Sequence, residues 1–281
     1  MDRPRAPDKG TGPVSVTMAV MRVPSLLSLL LACTSIACAG AGSPSEVPEQ
    51  GSASAVVPTS DASSSEQGQL ESVRPGINER YFEDGAVEQW SEVLERERRE
   101  VIALRDQIVA ELALEPGMVV ADIGAGTGAF ISALSASVGD EGTVYAVDIV
   151  PAFLAHLEAR AREEGVGNLE LIEATPTDAS LPEASVDLLF MSDVYHHIEY
   201  PSIYLQSLYR ALRPGGRLVI VEFDRIPGKT SERMMKHVRQ DQATLVAEVT
   251  AEGFVLEREI ESIPFEENYM LEFGTTRTAV P

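Results

Sequence analysis

The stretch that decides the fold is residues 119–128, Val-Val-Ala-Asp-Ile-Gly-Ala-Gly-Thr-Gly. A short apolar run leads into Gly124, Gly126 and Gly128, and Asp122 stands two residues before the first glycine. Glycine allows a sharp turn and a close approach to a ligand, because it has no Cβ. Apolar residues at helical spacing then continue to Val138. The pattern predicts a buried strand, a tight loop and a helix N-terminus, where open α/β sheets bind nucleotides.

Two features of this loop separate the candidate nucleotides. The spacing nearly matches the dinucleotide pattern G-x-G-x-x-G/A, with Ala129 in the last position, but the third glycine comes one residue early. Asp122 would repel the negative charges of a pyrophosphate, whereas it would attract the ammonium group of S-adenosylmethionine. The loop therefore favours S-adenosylmethionine over NAD.

A second acid follows the next predicted strand. The segment from Thr143 to Val147 ends in Asp148, about 20 residues past the glycines, where an acid can accept hydrogen bonds from both ribose hydroxyls. We expect Asp148, with Ile149 beside it, to contact the ribose. The alternative is that Asp148 is an ordinary turn acid after a strand.

Together with later motifs, this region resembles the class I S-adenosylmethionine-dependent methyltransferases. The later motifs are Leu181-Pro182 before Ser185-Val186-Asp187-Leu188, and Leu212-Arg213-Pro214-Gly215-Gly216-Arg217 before an apolar run. The likeness is closest to the small-molecule branch that includes the ubiquinone/menaquinone-biosynthesis enzymes, and it covers roughly residues 76–275. It implies methyl transfer from S-adenosyl-L-methionine to a small-molecule acceptor.

The loop, the two acids and the resemblance together give a set of cofactor-binding candidates. They are Asp122, Gly124, Ala125, Gly126, Thr127, Gly128, Asp148, Ile149, Asp178, Ser192 and Asp193. The resemblance assigns an adenine contact to an acid after the third strand. Asp178 is the acid available there, although it lies about one position from the expected register.

Strand four is followed by the segment that carries the candidate catalytic residues, Met191-Ser192-Asp193-Val194-Tyr195-His196-His197. Histidine titrates near neutral pH and can act as a general base, so we expect His196 or His197 to reach the acceptor. The alternative is that one histidine caps the helix beginning near Pro201 and the other packs structurally. No metal site is expected, because adjacent histidines on an extended segment point apart and no third ligand is evident nearby.

Strands and helices alternate along the chain from Met118 onwards, which predicts an α/β fold with right-handed crossovers. We expect a Rossmann-like, doubly wound sheet that is mostly parallel. The resemblance implies seven strands, and the last pair, around Phe254 and from Tyr269 to Phe273, predicts an antiparallel last strand. One or two helices are expected between Val87 and Leu114, with Trp90 in the core. In the resembling family such leading helices often cover the substrate pocket.

The composition restricts the partners of this domain. The chain carries 22 Lys and Arg against 44 Asp and Glu, a net charge of −22. Such a surface repels nucleic-acid phosphates and anionic membranes, so a DNA or RNA substrate is not expected. The two cysteines are Cys33 and Cys38. Disulfides and thiolate nucleophiles are therefore excluded from the predicted folded region.

The N-terminal region, residues 1–38, resembles an export signal. Met21-Arg22 precedes the apolar segment Val23 to Ala37, and Ser35-Ile36-Ala37-Cys38 is similar to a bacterial lipoprotein signal. Lipidation is expected at Cys38 or Cys33, and this lipid would be the membrane anchor. Cleavage after Ala39 or Ala41 without lipidation is an alternative, and a chance apolar run is another.

Three regions follow from this pattern. Residues 39–75 are rich in Ser, Ala, Pro and Gly and are expected to form a disordered tether after the signal. Residues 76–281 would then form the methyltransferase domain, with a helical cap at 76–115. We expect an exported protein that is periplasmic or anchored to the outer membrane, and a cytoplasmic one if the signal is not functional. The rival functions are an NAD-dependent oxidoreductase and a catalytically silent, cofactor-binding envelope lipoprotein.

Overall fold

The protein was analysed as a computed structural model that describes residues 71–97 and 99–276. The predicted signal at 1–38, with both cysteines, and most of the predicted tether lie outside these residues. Within the described part of the chain, no helix has the length and apolar character needed to cross a membrane.

The described residues form one seven-stranded sheet in the order β3-β2-β1-β4-β5-β7-β6. Strands β1 to β5 pair in parallel, and β7 is antiparallel to both of its neighbours, β5 and β6. The strands are β1 Val119–Ile123, β2 Thr143–Asp148, β3 Leu169–Glu173, β4 Val186–Ser192, β5 Leu212–Phe223, β6 Phe254–Glu259 and β7 Asn268–Thr275. The predicted fold class, a doubly wound α/β sheet with an antiparallel last strand, is confirmed.

The helices lie between the strands, and a group of short ones precedes β1. They are α1 Ala86–Leu94, α2 Glu100–Ala103, α3 Arg105–Glu111, α4 Ile131–Val138, α5 Pro151–Glu164, α6 Pro201–Ala211, α7 Glu232–His237 and α8 Gln242–Ala251. The expectation of one or two helices before β1 is wrong, because the region contains three short ones. Arg99 is extended (ψ 129°) and Leu104 leaves helical geometry (φ −104°, ψ 9°), so the helix is interrupted at both points.

Both faces of the sheet are buried, which explains the continuous apolar runs of its central strands. Alternate residues of β4 point to opposite faces: Leu188 and Phe190 join one apolar cluster, and Leu189 and Met191 join the other. Side chains of α3, α4 and α5 pack in the first cluster, and those of α6 and α8 in the second. The central strands are therefore held rigidly, which fixes the positions of the residues that follow them.

The folded part begins earlier in the chain than the predicted boundary at residue 76. Val73 N donates a hydrogen bond to Glu199 O (2.9 Å), and Ser72 Oγ donates to Glu199 Oε2 (2.8 Å). Arg74 Nη2 donates to Lys236 O (2.9 Å). Residues 72–74 therefore belong to the domain rather than to the tether, because polar groups distant in sequence hold them in place.

The strand order sets the position of a ligand site. Neighbouring strands β1 and β4 lie at the point where the order of the parallel strands reverses. Their connections leave on opposite faces of the sheet, which opens a crevice beyond their carboxyl ends. The glycine loop after β1 and the histidine segment after β4 both begin at this point.

Candidate active site

A crevice of about 510 Å³ lies at the carboxyl ends of β1, β2 and β4. This volume is within the range of small-molecule sites, about 300–1,000 Å³. The glycine loop and Asp148 line one part, and His196 and His197 line another. The segment before β1 covers the crevice through residues such as Trp90 and Leu94. The carboxyl ends of the strands and the preceding helices thus form one site.

The glycine loop is held tightly against its neighbours. Gly124 N donates to Val147 O (2.7 Å), which ties the start of the loop to β2. Gly124 has a φ of 70°, and a Cβ built on it would lie 2.5 Å from Cγ2 of Val194. A side chain at this position would strain the backbone and collide with the segment after β4. The glycine is therefore required by both conformation and space.

Asp148 shapes the loop and also lines the crevice. Its Oδ2 accepts a hydrogen bond from Gly126 N (2.8 Å), and its Oδ1 accepts one from Val150 N (2.9 Å). Burial raises the pKa of Asp148 to about 6, although these backbone donors oppose the shift. An ionised carboxylate has about four lone-pair sites. Two backbone amides therefore leave acceptor capacity for hydroxyl groups of a ligand.

Asp122 is buried at the carboxyl end of β1. Burial, and to a lesser extent the negative charge of Asp148, raises the pKa of this carboxyl to about 7. A cation in the crevice would stabilise the ionised form and reverse this shift. The environment of Asp122 therefore suits a positively charged ligand and is unfavourable for a pyrophosphate.

The structure brings most of the predicted site residues into this one crevice. Those that line it are Asp122, Gly124, Ala125, Gly126, Thr127, Asp148, Ile149, Ser192, Asp193, His196 and His197. Gly128 does not line it. A Cβ on Gly128 would lie 2.3 Å from Cδ2 of Leu157, so this glycine instead allows close packing against α5.

Asp178, the predicted adenine contact, does not line the crevice. Its carboxylate pairs with Arg210 of α6 (3.3 Å) and accepts a hydrogen bond from Ser180 N (2.7 Å). The loop after β3 turns tightly between Thr175 and Asp178. Thr175 and Pro176 therefore line the crevice instead.

Two buried polar atoms of crevice-lining residues have no hydrogen-bond partner in the described part of the chain. They are Ser192 Oγ, at the end of β4, and Trp90 Nε1, on α1. An unpaired buried donor or acceptor costs about 1–3 kcal/mol, so such atoms favour a bound ligand. Trp90 is buried as expected, but it also lines the crevice, with the Tyr81 ring 4.8 Å away.

Asp193 lines the crevice, but protein groups already hold its carboxylate. Its Oδ2 accepts from Arg99 Nη2 (2.7 Å) and its Oδ1 accepts from Asn268 Nδ2 (2.7 Å). Burial raises the pKa of Asp193 to about 6, and the Arg99 charge opposes that shift. Asp193 therefore ties the helical segment before β1 to β4 and β7. Sequence analysis missed Arg99 and Asn268, which lie far from Asp193 in the chain.

His196 is buried against a carboxylate that sequence analysis also missed. Its Nδ1 lies 2.9 Å from both carboxylate oxygens of Glu222, and its backbone N donates to Oε2 (3.1 Å). Glu222 Oε1 also accepts from Phe223 N (2.7 Å), which fixes the carboxylate in place. His196 therefore donates from Nδ1 to the Glu222 carboxylate, and Nε2 is the ring nitrogen that remains for a ligand. An acid ending the apolar run Leu218 to Val221 was the signal available in the sequence.

A third histidine completes a cluster with His196 and His197. His237, the last residue of α7, has its ring centroid 4.8 Å from that of His196 and 5.2 Å from that of His197. Burial lowers the pKa of His197 well below its usual value and that of His237 to about 4. Both rings are therefore neutral at pH 7.

The expectations that adjacent histidines point apart and that no third ligand lies nearby are both wrong. Residues Tyr195–His197 form a 3-10 turn rather than an extended segment, which brings the rings of His196 and His197 to 4.3 Å between centroids. His237 reaches the same point from α7, which follows β5.

Comparisons with known proteins agree with this geometry. Residues 121–220 match the family model described as a methyltransferase domain. The matched residues include the end of β1, all of β4, the histidine segment and β5 as far as Ile220.

Curated relatives match over part of their length. The ubiquinone/menaquinone biosynthesis C-methyltransferase UbiE of Vibrio campbellii is 33% identical over 111 residues, which are 39% of this chain and 43% of that protein. UbiE of Enterobacter sp. is 34% identical over 110 residues, 39% of this chain and 44% of the relative. This chain thus spans less than half the length of these relatives.

Solved structures share the fold of this chain. A SAM-dependent methyltransferase from Aquifex aeolicus superposes with a TM-score of 0.60 at 21% identity, covering 68% of this chain and 98% of that one. The [4+2]-cyclase SpnF gives a TM-score of 0.53 at 16% identity, covering 62% of this chain and 81% of that one. Since a cyclase shares the fold, the reaction has to be argued from the residues of the site.

Replacing Asp122 with asparagine should stabilise the protein in a pH-dependent way. The folded-state pKa of about 7 lies above the value of an exposed carboxyl. Ionisation of Asp122 therefore lowers the free energy of unfolding. The loss is absent below about pH 4 and grows as the pH rises to about 7. We expect Asp122→Asn to gain on the order of 2 kcal/mol in unfolding free energy at pH 8 and little at pH 4.

Urea unfolding of the two proteins across this pH range would measure the difference. Asp178→Asn is the control, because its ion pair with Arg210 is half exposed and such pairs contribute little. A constant difference between wild type and Asp122→Asn across the whole range would contradict the assignment.

Proposed function

We propose that the protein transfers a methyl group from S-adenosyl-L-methionine to a small-molecule acceptor. The supporting observation is that two buried carboxylates, Asp122 and Asp148, lie beside the glycine loop in one crevice. Asp122 suits the ammonium group, and Asp148 has acceptor capacity for the ribose hydroxyls. Ser192 Oγ is an unpaired atom that a ligand in this crevice can satisfy.

Little covalent chemistry is required of the protein in this reaction. The cofactor supplies an activated methyl group, so the chain has to align donor and acceptor and exclude water. Trp90, Leu94 and Phe153 give the crevice an apolar wall that favours exclusion of water. Where the acceptor must lose a proton, Nε2 of His196 is the candidate base, because Glu222 holds its Nδ1 proton. His197 is the second candidate at the same place.

The charges around the histidine cluster favour an acceptor that carries negative charge. Arg74, Arg80, Arg233 and Lys236 line this part of the crevice, in a chain of net charge −22. A concentration of cations against that background attracts anions to the site. The UbiE relatives are named for C-methylation in ubiquinone and menaquinone biosynthesis, which supports a small organic acceptor. We therefore propose an acidic small molecule, such as a phenolate or a carboxylate.

Calorimetric titration tests the cofactor. We expect S-adenosylmethionine and S-adenosylhomocysteine to bind and NAD⁺ not to bind. Asp148→Ala should weaken binding of S-adenosylmethionine by about 1–3 kcal/mol, because polar groups of the ribose lose their partner. Binding of NAD⁺ alone would instead support an oxidoreductase.

Asp187→Ala is the matched control for this titration. Asp187 also accepts a backbone hydrogen bond, from Val119 N at 2.8 Å, and pairs with Arg213, but it does not line the crevice. Both variants therefore lose a carboxylate that accepts a backbone hydrogen bond. Only Asp148→Ala also loses the proposed contacts to the ribose. Equal affinity in the Asp148 variant and the wild type would refute the ribose assignment.

Substitution of the histidines tests the acceptor end of the site. We expect His196→Ala to lower kcat by at least about 100-fold, the usual contribution of a general base, with little change in the Kd of S-adenosylmethionine. Release of S-adenosylhomocysteine with a panel of acidic phenols and quinones would measure turnover. His156→Ala, on α5, should be unaffected, and full activity in both His196→Ala and His197→Ala would exclude the general-base role. A wild-type protein that binds the cofactor but methylates no acceptor would favour the silent envelope lipoprotein.

We further propose that the protein is exported and lipid-anchored through Cys38 or Cys33. The supporting feature is the apolar segment that ends in Ser35-Ile36-Ala37-Cys38, with a predicted flexible tether after it. Such a tether would place the domain away from the membrane surface. Cell fractionation with mass spectrometry should find a shortened, membrane-associated form, and uncleaved protein in the cytosol would contradict the proposal.

A further inference from the structure

His196, His197 and His237 converge at the acceptor end of the crevice. One ring nitrogen of each residue lies within 4.8 Å of the others. We propose that these three histidines bind a divalent transition-metal ion, with Zn²⁺ the ion that best fits three imidazole ligands. The proposal concerns cation binding by the protein and does not depend on methyl transfer.

Hydrogen bonds from outside the cluster prepare two of the rings as ligands. Glu222 accepts from Nδ1 of His196 at 2.9 Å. Asn78 Oδ1 lies 3.2 Å from Nδ1 of His197, and Asn78 Nδ2 donates to His197 O (2.9 Å), which fixes the orientation of the amide. Since Oδ1 and the Glu222 carboxylate only accept, both rings carry their proton on Nδ1. Nε2 is therefore the nitrogen of each ring that remains for a metal ion, and such outer carboxylate or carbonyl partners are the usual support of metal-binding histidines.

The distances require only a small adjustment. Zn–N bonds of about 2.1 Å in a tetrahedral site place the nitrogens about 3.4 Å apart, so the longest separation would have to close by about 1.4 Å. His237 ends a helix with no buried residues, and the side chains of α7 can therefore move. His196 and His197 lie on one 3-10 turn and are already held by their partners.

The charges around the three histidines are compatible with a cation only if the histidine nitrogens coordinate it strongly. Metal binding requires neutral imidazoles, so it is coupled to the loss of any proton from the ligating nitrogens. The Glu222 carboxylate behind His196 supplies negative charge. Arg74 and Arg80 oppose a cation here, since their charges act on the other two rings. Weakly coordinated hard ions such as Mg²⁺ are therefore excluded, and direct nitrogen ligation has to supply the binding energy.

Three protein ligands leave a fourth position open toward the crevice. In zinc enzymes this position holds water or substrate, and the ion lowers the pKa of the bound group. An oxygen or sulfur of the acceptor could bind there in its deprotonated form, with the arginines nearby to stabilise the negative charge. Nε2 of His196 cannot bind the ion and act as a general base at the same time. Metal binding therefore has to be measured separately from turnover.

Titration of metal-depleted, tag-free protein with ZnCl₂, followed by calorimetry, tests the proposal. We expect one Zn²⁺ per chain, no binding of Mg²⁺, and a visible absorption spectrum of a four-coordinate ion when Co²⁺ replaces Zn²⁺. His237→Ala should weaken Zn²⁺ binding by at least about 100-fold, and Glu222→Gln, which removes the carboxylate behind His196, by about 10–100-fold. His156→Ala is the matched control, because it removes the fourth histidine of the chain and leaves the cluster intact.

Three results would overturn the proposal: absence of saturable Zn²⁺ binding, equal affinity in wild type and His237→Ala, or an equal loss in His156→Ala. Far-UV circular dichroism of each variant would show whether it has folded. If His237→Ala does not fold, His197→Ala takes its place with the same expected loss. Since these measurements need no methyl acceptor, failure of the methyl-transfer proposal would leave their interpretation unchanged.

Discussion

The hydrogen bonds that Asp148 accepts from Gly126 and Val150 are the interaction on which the site depends. The bond from Gly126 joins the end of β2 to the glycine loop after β1, next to the bond from Gly124 N to Val147 O. The φ of Gly126, 54°, places its amide toward the carboxylate in a conformation that other residues adopt at a cost. One buried acid thus sets the shape of the loop, and the loop sets one wall of the crevice.

This arrangement accumulates negative charge where four strands end. Asp122, Asp148, Asp193 and Glu222 are all buried near the carboxyl edge of the parallel strands. Removing a carboxylate from water is unfavourable unless partners replace the hydration. Arg99 and Asn268 do so for Asp193, backbone amides do so for Asp148, and His196 does so for Glu222. Asp122, whose pKa is raised to about 7, has the least support and is the acid that a cationic ligand would stabilise most. Burial of Asp122 lowers the stability of the unliganded protein, and a cationic ligand would recover that free energy when it binds.

Features that depend on local spacing could be predicted from the sequence, and features that depend on tertiary contacts could not. The strands, the glycine loop and Asp148 follow from apolar runs and from residues a few positions apart, so their placement was predictable. Asp178 was predicted to contact the adenine, but the turn from Thr175 to Asp178 places it outside the crevice. Residue spacing alone does not show such a turn. His237 was missed as a partner because it lies 40 residues beyond His197 (237 − 197) and reaches the cluster only through the short helix α7. Glu222 had a readable signal, since it ends an apolar strand just as Asp122 and Asp148 do. That signal identifies a site only once β4 and β5 are known to be neighbours.

The crevice has opposite electrostatic character at its two ends, and this difference matches the charge changes of the proposed reaction. Carboxylates line the cofactor end, whereas Arg74, Arg80 and the histidine cluster line the acceptor end. Transfer of a methyl group from a sulfonium to an anion converts the sulfonium into a neutral thioether and the anion into a neutral product. The attraction of the carboxylates for the sulfonium charge is lost in that step, although the ammonium group keeps its interaction with Asp122. The attraction between the cationic end and the acceptor is lost as well. Both products are then held less strongly than the substrates they came from. A site of this polarity therefore favours binding of a cationic donor with an anionic acceptor and release of both products after the transfer.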